Sequence, residues 1–250
     1  MSLRDDQLER YGRHLLLKEI GGAGQRRVLA ARVAVVGAGG IGSPALLYLA
    51  AAGIGRLTVI DDDVVALSNL QRQVLFGTDD VGAAKVARAA DGLRRLNPDV
   101  EVRAVRERLT PENAAELLDG AEVVVDGSDS FATRLAVNDA TLALRVPLVS
   151  AAVGQLDGQL AVYRGWEAGR PCYRCLVGNA AERADGTCAD DGVLGALTGV
   201  LGSLAALEAV RALWPFGEDP TGQMLLVDAL QFRFRTVRVV KDPGCAACAG

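Results

Sequence analysis

Three groups of residues have types and spacing suited to chemistry: a glycine-rich turn, charged side chains that follow it, and paired cysteines. The turn, residues 37–42, has the sequence GAGGIG and joins the apolar run 33–36 to a helix-like segment. A strand, a G-x-G-x-x-G turn and a helix in this order are typical of nucleotide-binding sites. In such a turn Gly37 permits the tight bend, Gly39 lets the backbone approach a phosphate, and Gly42 lets helix and strand pack closely. The pattern predicts a bound nucleotide.

Charged side chains that suit a nucleotide occur at several later positions. Asp61 follows the predicted strand 56–60, a position where an acid holds a ribose hydroxyl in such folds; capping of the next turn is the alternative. Arg72 lies in a polar segment, and Lys85 lies in the first turn of a helix predicted over 82–90, against the preference of the helix dipole. Surface charge is the alternative for both. Asp129 follows a predicted strand, as a ligand or as a helix cap.

Four of the five cysteines form two C-x-x-C pairs, Cys172 with Cys175 and Cys245 with Cys248. Four thiolates in two such pairs make a tetrahedral site that suits Zn²⁺, and the full ligand set predicts a structural zinc. A disulfide or a redox pair is the alternative. The fifth cysteine, Cys188, has no partner motif, so it is either an inert loop residue or a nucleophilic thiol.

Composition restricts the class of protein. The chain has 250 residues, a formal net charge of −4, 50% hydrophobic residues and 4% aromatic residues. The acidic balance gives no global basic footprint for nucleic acid. No uncharged apolar run reaches the ~20 residues of a spanning helix, and the N-terminus lacks the apolar core of a signal peptide. We therefore expect a cytoplasmic protein that contacts neither nucleic acid nor membrane, with cysteines that are metal ligands or reactive thiols.

The elements that must position these residues alternate regularly along the first part of the chain. Strand and helix patterns repeat up to residue 153, which predicts a Rossmann-like, doubly wound parallel sheet in the α/β class. Strand-like runs at 158–163, 224–228 and 231–237 are expected to extend that sheet with antiparallel strands. A long apolar helix is predicted over 193–214, and an amphipathic helix over 4–19.

These features occur in one order that resembles a known family. The residues that carry the resemblance are Arg10-Tyr11-Gly12-Arg13-His14, the glycine turn, Asp61-Asp62-Asp63, Ser68-Asn69-Leu70-Gln71-Arg72-Gln73, Lys85, Asp129 and the paired cysteines. Together they are similar to the MoeB/ThiF/HesA family, relatives of the ubiquitin-activating enzymes, and most similar to its molybdopterin-synthase adenylyltransferase branch. The resemblance covers essentially the whole chain. It implies one adenylating domain, 1–250, with N-terminal helices at 1–30, a nucleotide-binding half at 31–153 and a carrier-binding and zinc half at 154–250.

The resemblance also implies an activity. Members of this family use ATP with Mg²⁺ to adenylate the C-terminal glycine of a small ubiquitin-like sulfur-carrier protein that ends in Gly-Gly. Pyrophosphate leaves, and the acyl-adenylate becomes a thiocarboxylate with sulfur from a separate donor protein, for molybdenum cofactor or thiamin biosynthesis. A carboxylate nucleophile is already ionised at neutral pH, so no general base is needed.

Residue roles follow from the resemblance alone. The catalytic set is Arg13, Arg72, Lys85 and Asp129, with Arg13 supplied across a homodimer and Asp129 holding Mg²⁺. Cys188 matches a position that forms a covalent intermediate in some members and is dispensable in others. Ser130 replaces the Asn that the family usually has. The implied ATP-binding residues are Gly37, Gly39, Gly40, Gly42, Asp61, Asp63, Ser68, Asn69, Arg72, Lys85, Asp129 and Ser130.

Two other functions compete with this one. The glycine turn and Asp61 by themselves favour an NAD-dependent oxidoreductase, but that function gives Arg13, Arg72 and Lys85 no joint purpose. A catalytically silent scaffold for a ubiquitin-like partner is the third hypothesis, and the intact set of basic residues argues against it.

Overall fold

The computed structural model describes residues 2–178 and 192–249, and one eight-stranded sheet runs through them. Its strands are β1 Arg32–Val36, β2 Arg56–Ile60, β3 Glu101–Val105, β4 Val123–Asp126, β5 Leu148–Gly154, β6 Asp157–Tyr163, β7 Gln223–Asp228 and β8 Arg233–Arg238. The spatial order is β3-β2-β1-β4-β5-β6-β7-β8. Pairs among the first five strands are parallel, and the pairs from β5 to β8 are antiparallel. The predicted fold class is confirmed.

Helices cover both faces of the sheet. They are α1 Asp5–Arg10, α2 Gly12–Leu15, α3 Gly21–Ala30, α4 Gly42–Ala52, α5 Lys85–Leu96, α6 Ala114–Leu117, α7 Phe131–Leu144, α8 Tyr173–Val177 and α9 Gly195–Leu213. Alternate residues of β1 serve the two layers: Val33 and Val35 pack with α4, α5 and α9, whereas Ala34 and Val36 pack with α6 and α7. Burial on both faces is why the strands are continuous apolar runs in the sequence.

The N-terminal helix is shorter than its amphipathic pattern predicts. The single helix expected over 4–19 is wrong: α1 ends at Arg10, α2 occupies four residues, and residues 16–20 are not helical. Tyr11 at the break is 2% exposed, and its hydroxyl accepts a hydrogen bond from Asn97 Nδ2 at 2.9 Å. Leu8, which helical spacing would place on the same face as Tyr11, remains 46% exposed. The helix therefore breaks at Tyr11, where the side chain is buried and hydrogen-bonded to Asn97.

Helix α9 has the length and apolar character of a bilayer-spanning segment. It has 19 residues with a mean hydropathy of 1.5, which the expectation from the sequence did not allow for. Its buried residues, among them Leu197, Leu201 and Ala205, pack against α4 and β5 in the main core. Core packing accounts for its composition, since the central helix of a folded domain meets the same criteria as a spanning helix.

Candidate active site

A cavity of about 190 Å³ lies at the carboxyl ends of β1, β2, β4 and β5. Ligands bind at this edge of open α/β sheets, where the strand order reverses. The walls bring together predicted residues from five separate chain segments. They are Gly37, Gly39, Gly40, Asp61, Asp63, Arg72, Lys85, Asp129 and Ser130.

Three positions of the turn require or favour glycine, each for a different structural reason. Gly37 has a φ of +85°, in the left-handed region that favours glycine. A Cβ on Gly42 would lie 1.8 Å from the Gly37 carbonyl oxygen, so no side chain fits where α4 meets the turn. At Gly39 the nearest side-chain atom, Gln73 Nε2, would be 3.8 Å from an added Cβ. The turn therefore presents an open backbone surface beside the N-terminus of α4, which suits an anion.

Asp61 is fixed by the glycine turn and by its own loop. Its Oδ2 accepts from the Ala38 N–H at 2.8 Å, and its Oδ1 accepts from the Asp63 N–H at 2.9 Å. Burial raises the pKa of Asp61 above its ordinary value, while the nearby Lys85 charge and these N–H donors oppose that shift. The carboxylate is therefore held in one orientation at the end of β2, as a ribose-binding acid requires.

Lys85 is not an ordinary surface charge. Its side chain is 5% exposed, and Nζ donates to Asp63 Oδ2 at 2.8 Å and lies 4.0 Å from Asp61 Oδ1. A buried ammonium of this kind needs anionic partners. Helix α5 begins at Lys85 and aims it into the cavity, which explains why a lysine occupies an unfavourable helix N-terminus.

Arg72 supplies a second cation to the cavity. Its Nη1 donates to the Ser68 carbonyl oxygen at 3.1 Å, and it forms no ion pair within residues 2–178 and 192–249. Ser68 and Asn69 do not line the cavity. Asn69 instead accepts from the Ala66 N–H at 3.2 Å, and so shapes the turn that presents Arg72.

The loop after β4 supplies an acid and a helix cap. Asp129 is exposed on the cavity wall, and Ser130 Oγ accepts from the Thr133 N–H at 3.4 Å as the N-cap of α7. Ser130, and not Asp129, is therefore the residue that caps α7. An exposed carboxylate that faces a phosphate-sized space is a suitable oxygen ligand for Mg²⁺.

Sequence reasoning missed several residues of this site. Asp126 is fully buried, and its Oδ1 accepts from the Ser128 N–H at 3.0 Å and from the Ser128 hydroxyl at 2.7 Å. Burial raises the pKa of Asp126, and the charge of Arg134, which donates to the Ser128 carbonyl oxygen, opposes that shift. Asp126 lies behind the cavity wall, whereas Gln73 lines the cavity, at 3% exposure. Asp126 ends a strand as Asp61 does, a signal that could have found it.

Among the predicted catalytic residues that the structure describes, Arg13 does not line the cavity. It is exposed on α2. Cys188 lies outside the described residues. A partner subunit remains the predicted source of the arginine.

The four paired cysteines form one cluster. All four Sγ atoms lie within 4.8 Å of one another, with neighbouring pairs at 3.9, 3.7 and 3.4 Å. A tetrahedron of thiolates around Zn²⁺ has S···S separations of about 3.8 Å. Cys172, Cys245 and Cys248 are buried, and the cluster packs on Leu142 of α7. The donor set fits zinc, and it connects the C-terminal segment to the start of α8, where Cys172 is the N-cap and Cys175 lies in the helix.

Comparisons with known proteins agree on one family. The ThiF family profile matches residues 11–247. The SAMP-activating enzyme E1 of Haloferax volcanii is 46% identical over 99% of this chain and 91% of its own length. The sulfur carrier protein adenylyltransferase of Thermus thermophilus is 47% identical over 97% of this chain and 91% of its own. The adenylyltransferase and sulfurtransferase MOCS3 of Bos taurus is 48% identical, and this chain spans 54% of it.

Solved structures share the fold at lower identity. Escherichia coli MccB crystallised with ATP has a TM-score of 0.83 and 22% identity, over 96% of this chain and 75% of that one. PaaA has a TM-score of 0.81 and 23% identity, over 96% of this chain and 76% of that one. At such identity the likeness shows the fold alone.

Proposed function

Because this chain belongs to the ThiF family, we propose that it uses ATP to adenylate the C-terminal glycine of a small ubiquitin-like sulfur carrier. It is an adenylyltransferase, as its relatives at 46–48% identity are named. The observation that supports this substrate most directly is the cavity itself. The glycine turn, Arg72, Lys85 and the exposed Asp129 converge there, which suits a triphosphate with Mg²⁺ better than a dinucleotide.

The reaction is an attack by a carboxylate on phosphorus. An oxygen of the carrier's terminal carboxylate forms a bond to the α-phosphorus, the bond to the bridging oxygen breaks, and its electron pair leaves with pyrophosphate. Arg72 and Lys85 offset the negative charge that develops on the phosphate oxygens. The nucleophile is ionised at neutral pH, so this chain needs no proton acceptor.

The remaining side chains bind and orient ATP. Asp61 accepts from the ribose, and the Gly39 and Gly40 backbone faces the phosphates. Asp129 would hold Mg²⁺, which neutralises phosphate charge when bound.

The carrier tail is assigned an approach along the groove that adjoins the cavity at β5. Val153, at the end of β5, lines both the cavity and an open groove across β5 to β8. Arg233 and Arg235 line the groove together with Asp157, so an extended polar peptide finds partners of both charges. We assign this groove to the residues before the terminal glycine, in keeping with a nucleotide-binding half at 31–153 and a carrier-binding half at 154–250.

The biological setting follows from the same proposal. The protein acts in the cytoplasm as a homodimer whose Arg13 completes the partner's site. Sulfur comes from a separate donor protein, with or without a covalent step at Cys188, and the product serves molybdenum cofactor or thiamin biosynthesis.

A pyrophosphate-exchange assay tests the function. Purified protein with ATP, Mg²⁺ and a ubiquitin-like carrier ending in Gly-Gly should move radiolabel from pyrophosphate into ATP, because the adenylation step is reversible. A carrier that lacks its last glycine is the matched control and should give no exchange. Absence of exchange with every carrier tested, together with tight NAD binding, would reject this function in favour of an oxidoreductase.

Zinc content is a separate expectation. Metal analysis of the purified protein should find about one Zn per chain, because the cluster supplies four ligands to one ion. Cys172→Ser should lose the zinc and lower the Tm, since binding energy at such a site is folding energy. Cys188→Ser is the control and should keep both. A well-folded wild-type protein without metal would contradict the assignment.

A further inference from the structure

Helix α9 exposes only uncharged residues. The side that faces away from the core carries Ala196, Val200 and Leu207, with the half-buried Ser203 between the last two. Val200 is 40% exposed and Leu207 is 44% exposed. These positions alternate at spacings of four and three residues, which places them in one line along the helix. Uncharged residues at this spacing are typical of a helix that packs against a second helix.

Helix α4, which packs beside α9, has the same property. It contains no charged residue, and it exposes Tyr48 and Ala51. Helix α5 packs on the same side of the sheet but exposes Arg88, Asp91 and two further arginines, as a solvated helix does. An exposed surface without such charges indicates contact with another protein surface. We define the α4–α9 face as Tyr48, Ala51, Ala196, Val200, Ser203 and Leu207.

Arg13 and the cavity lie at opposite ends of this face. Thr198, near the start of α9, lines the cavity. At the other end, Trp214 follows α9, and its Nε1 donates to the Glu19 carbonyl oxygen at 2.8 Å, close in the chain to the helix that carries Arg13. A helix of 19 residues is about 28 Å long. The length of α9 therefore separates Arg13 from the cavity of its own chain.

The two ends of the face have complementary charges. Arg13 at one end and Asp129 at the cavity are both exposed, and neither forms an ion pair within residues 2–178 and 192–249. Leu16 lies beside Arg13 at 78% exposure, and Leu194 lies beside the start of α9 at 54% exposure. A second copy that crosses α9 in the antiparallel direction would cover both ends at once, because a two-fold axis exchanges them.

We propose that two copies of this chain associate through the α4–α9 face, with the α9 helices crossing in antiparallel directions near Ser203, so that each Arg13 completes the partner's cavity. The role of Arg13 here rests on the proposed adenylation, whereas the interface is measured without substrate. Val200 and Leu207 lie at nearly equal distances on either side of Ser203. Val200 of one subunit therefore faces the partner's Leu207.

Val200→Arg should convert the dimer into a monomer. A charge placed in the interface without a partner opposes association, so the mass from sedimentation velocity should halve. Val81→Arg is the matched control, because Val81 is 45% exposed and lies outside the α4–α9 face. That variant should stay dimeric. Thermal unfolding of both variants shows that the fold is intact. Monomeric Val200→Arg should also lose carrier-dependent exchange, since no partner supplies Arg13.

The antiparallel crossing has a test of its own. Val200→Glu and Leu207→Arg should each be monomeric alone. An equal mixture of the two should form dimers, because position 200 of one subunit then pairs its new carboxylate with the new guanidinium of the other. In a parallel crossing these two charges would not meet. Two monomeric variants that do not associate when mixed would overturn the crossing.

Other outcomes also decide the proposal. A wild-type protein that is monomeric, or a dimer that Val200→Arg leaves intact, would overturn it. Monomeric wild-type protein that binds vesicles of phosphatidylcholine and phosphatidylglycerol would instead assign the α4–α9 face to a lipid surface. A Val200→Arg monomer with full exchange would overturn the role of Arg13 across the interface. A wild-type dimer that gives no exchange with any carrier would reject the adenylation function and leave the interface supported.

Discussion

Arg72→Ala should lower carrier-dependent pyrophosphate exchange about a thousandfold, because it removes a cation from the position where phosphate charge develops. Arg72 makes one hydrogen bond to a neighbouring carbonyl and no ion pair within residues 2–178 and 192–249. Its loss should therefore change the free energy of unfolding by about 1 kcal/mol or less. Activity and stability are measured on the same preparation, by exchange and by thermal unfolding.

Arg88→Ala is the control for this change. Arg88 is exposed on α5 and pairs with the exposed Asp91 at 3.2 Å, so its removal takes away the same charge at a distance from the cavity. It should leave exchange near the wild-type rate, because exposed ion pairs contribute little. If Arg72→Ala retained more than a tenth of wild-type activity, Arg72 would not stabilise the phosphates.

Arg13→Ala and Asp129→Ala should each be inactive alone, and mixed dimers of the two should recover activity. In a mixed dimer, one site combines Asp129 of one subunit with Arg13 of the other and is intact. Random pairing makes half of the dimers mixed, and half of their sites intact, so about a quarter of wild-type exchange should return. Co-expression with two different tags allows the mixed dimers to be purified and assayed.

The same design with Arg72→Ala and Asp129→Ala provides the control. Both residues line one cavity of one chain, so each site of that mixed dimer lacks one of them and no activity should return. If the Arg13 pair recovered no better than this control, with mixed dimers present in both, Arg13 would not act across the interface.

Much of the fold could be predicted because its signals are local. The apolar runs of β1 and β4 require burial on both faces, and the glycine turn between β1 and α4 requires glycine at fixed positions. The antiparallel extension was predicted from the short spacing of the later strands. The break in the N-terminal helix could not be predicted, because Tyr11 is fixed by Asn97, a residue far away in the sequence.

Some residues of the candidate site also have local signals in the sequence, whereas others depend on contacts with distant residues. The sequence alone allows Lys85 to be a surface lysine or a ligand, and only its burial against Asp61 and Asp63 separates the two. Gln73 has no local signal that marks it as part of the site, because its burial depends on how the segment 68–73 packs against the start of α9.

By itself the sequence determined the parallel sheet with its antiparallel extension, the position of the phosphate-binding turn and the paired cysteines of the metal cluster. Each follows from periodicity or from residue types at short, fixed spacing. Only the tertiary structure decided which charges are buried together, which acid caps no helix and which amide side chain is buried in the cavity wall. These properties depend on groups that are distant in the chain and meet only when β1, β2, β4 and α9 pack around one space.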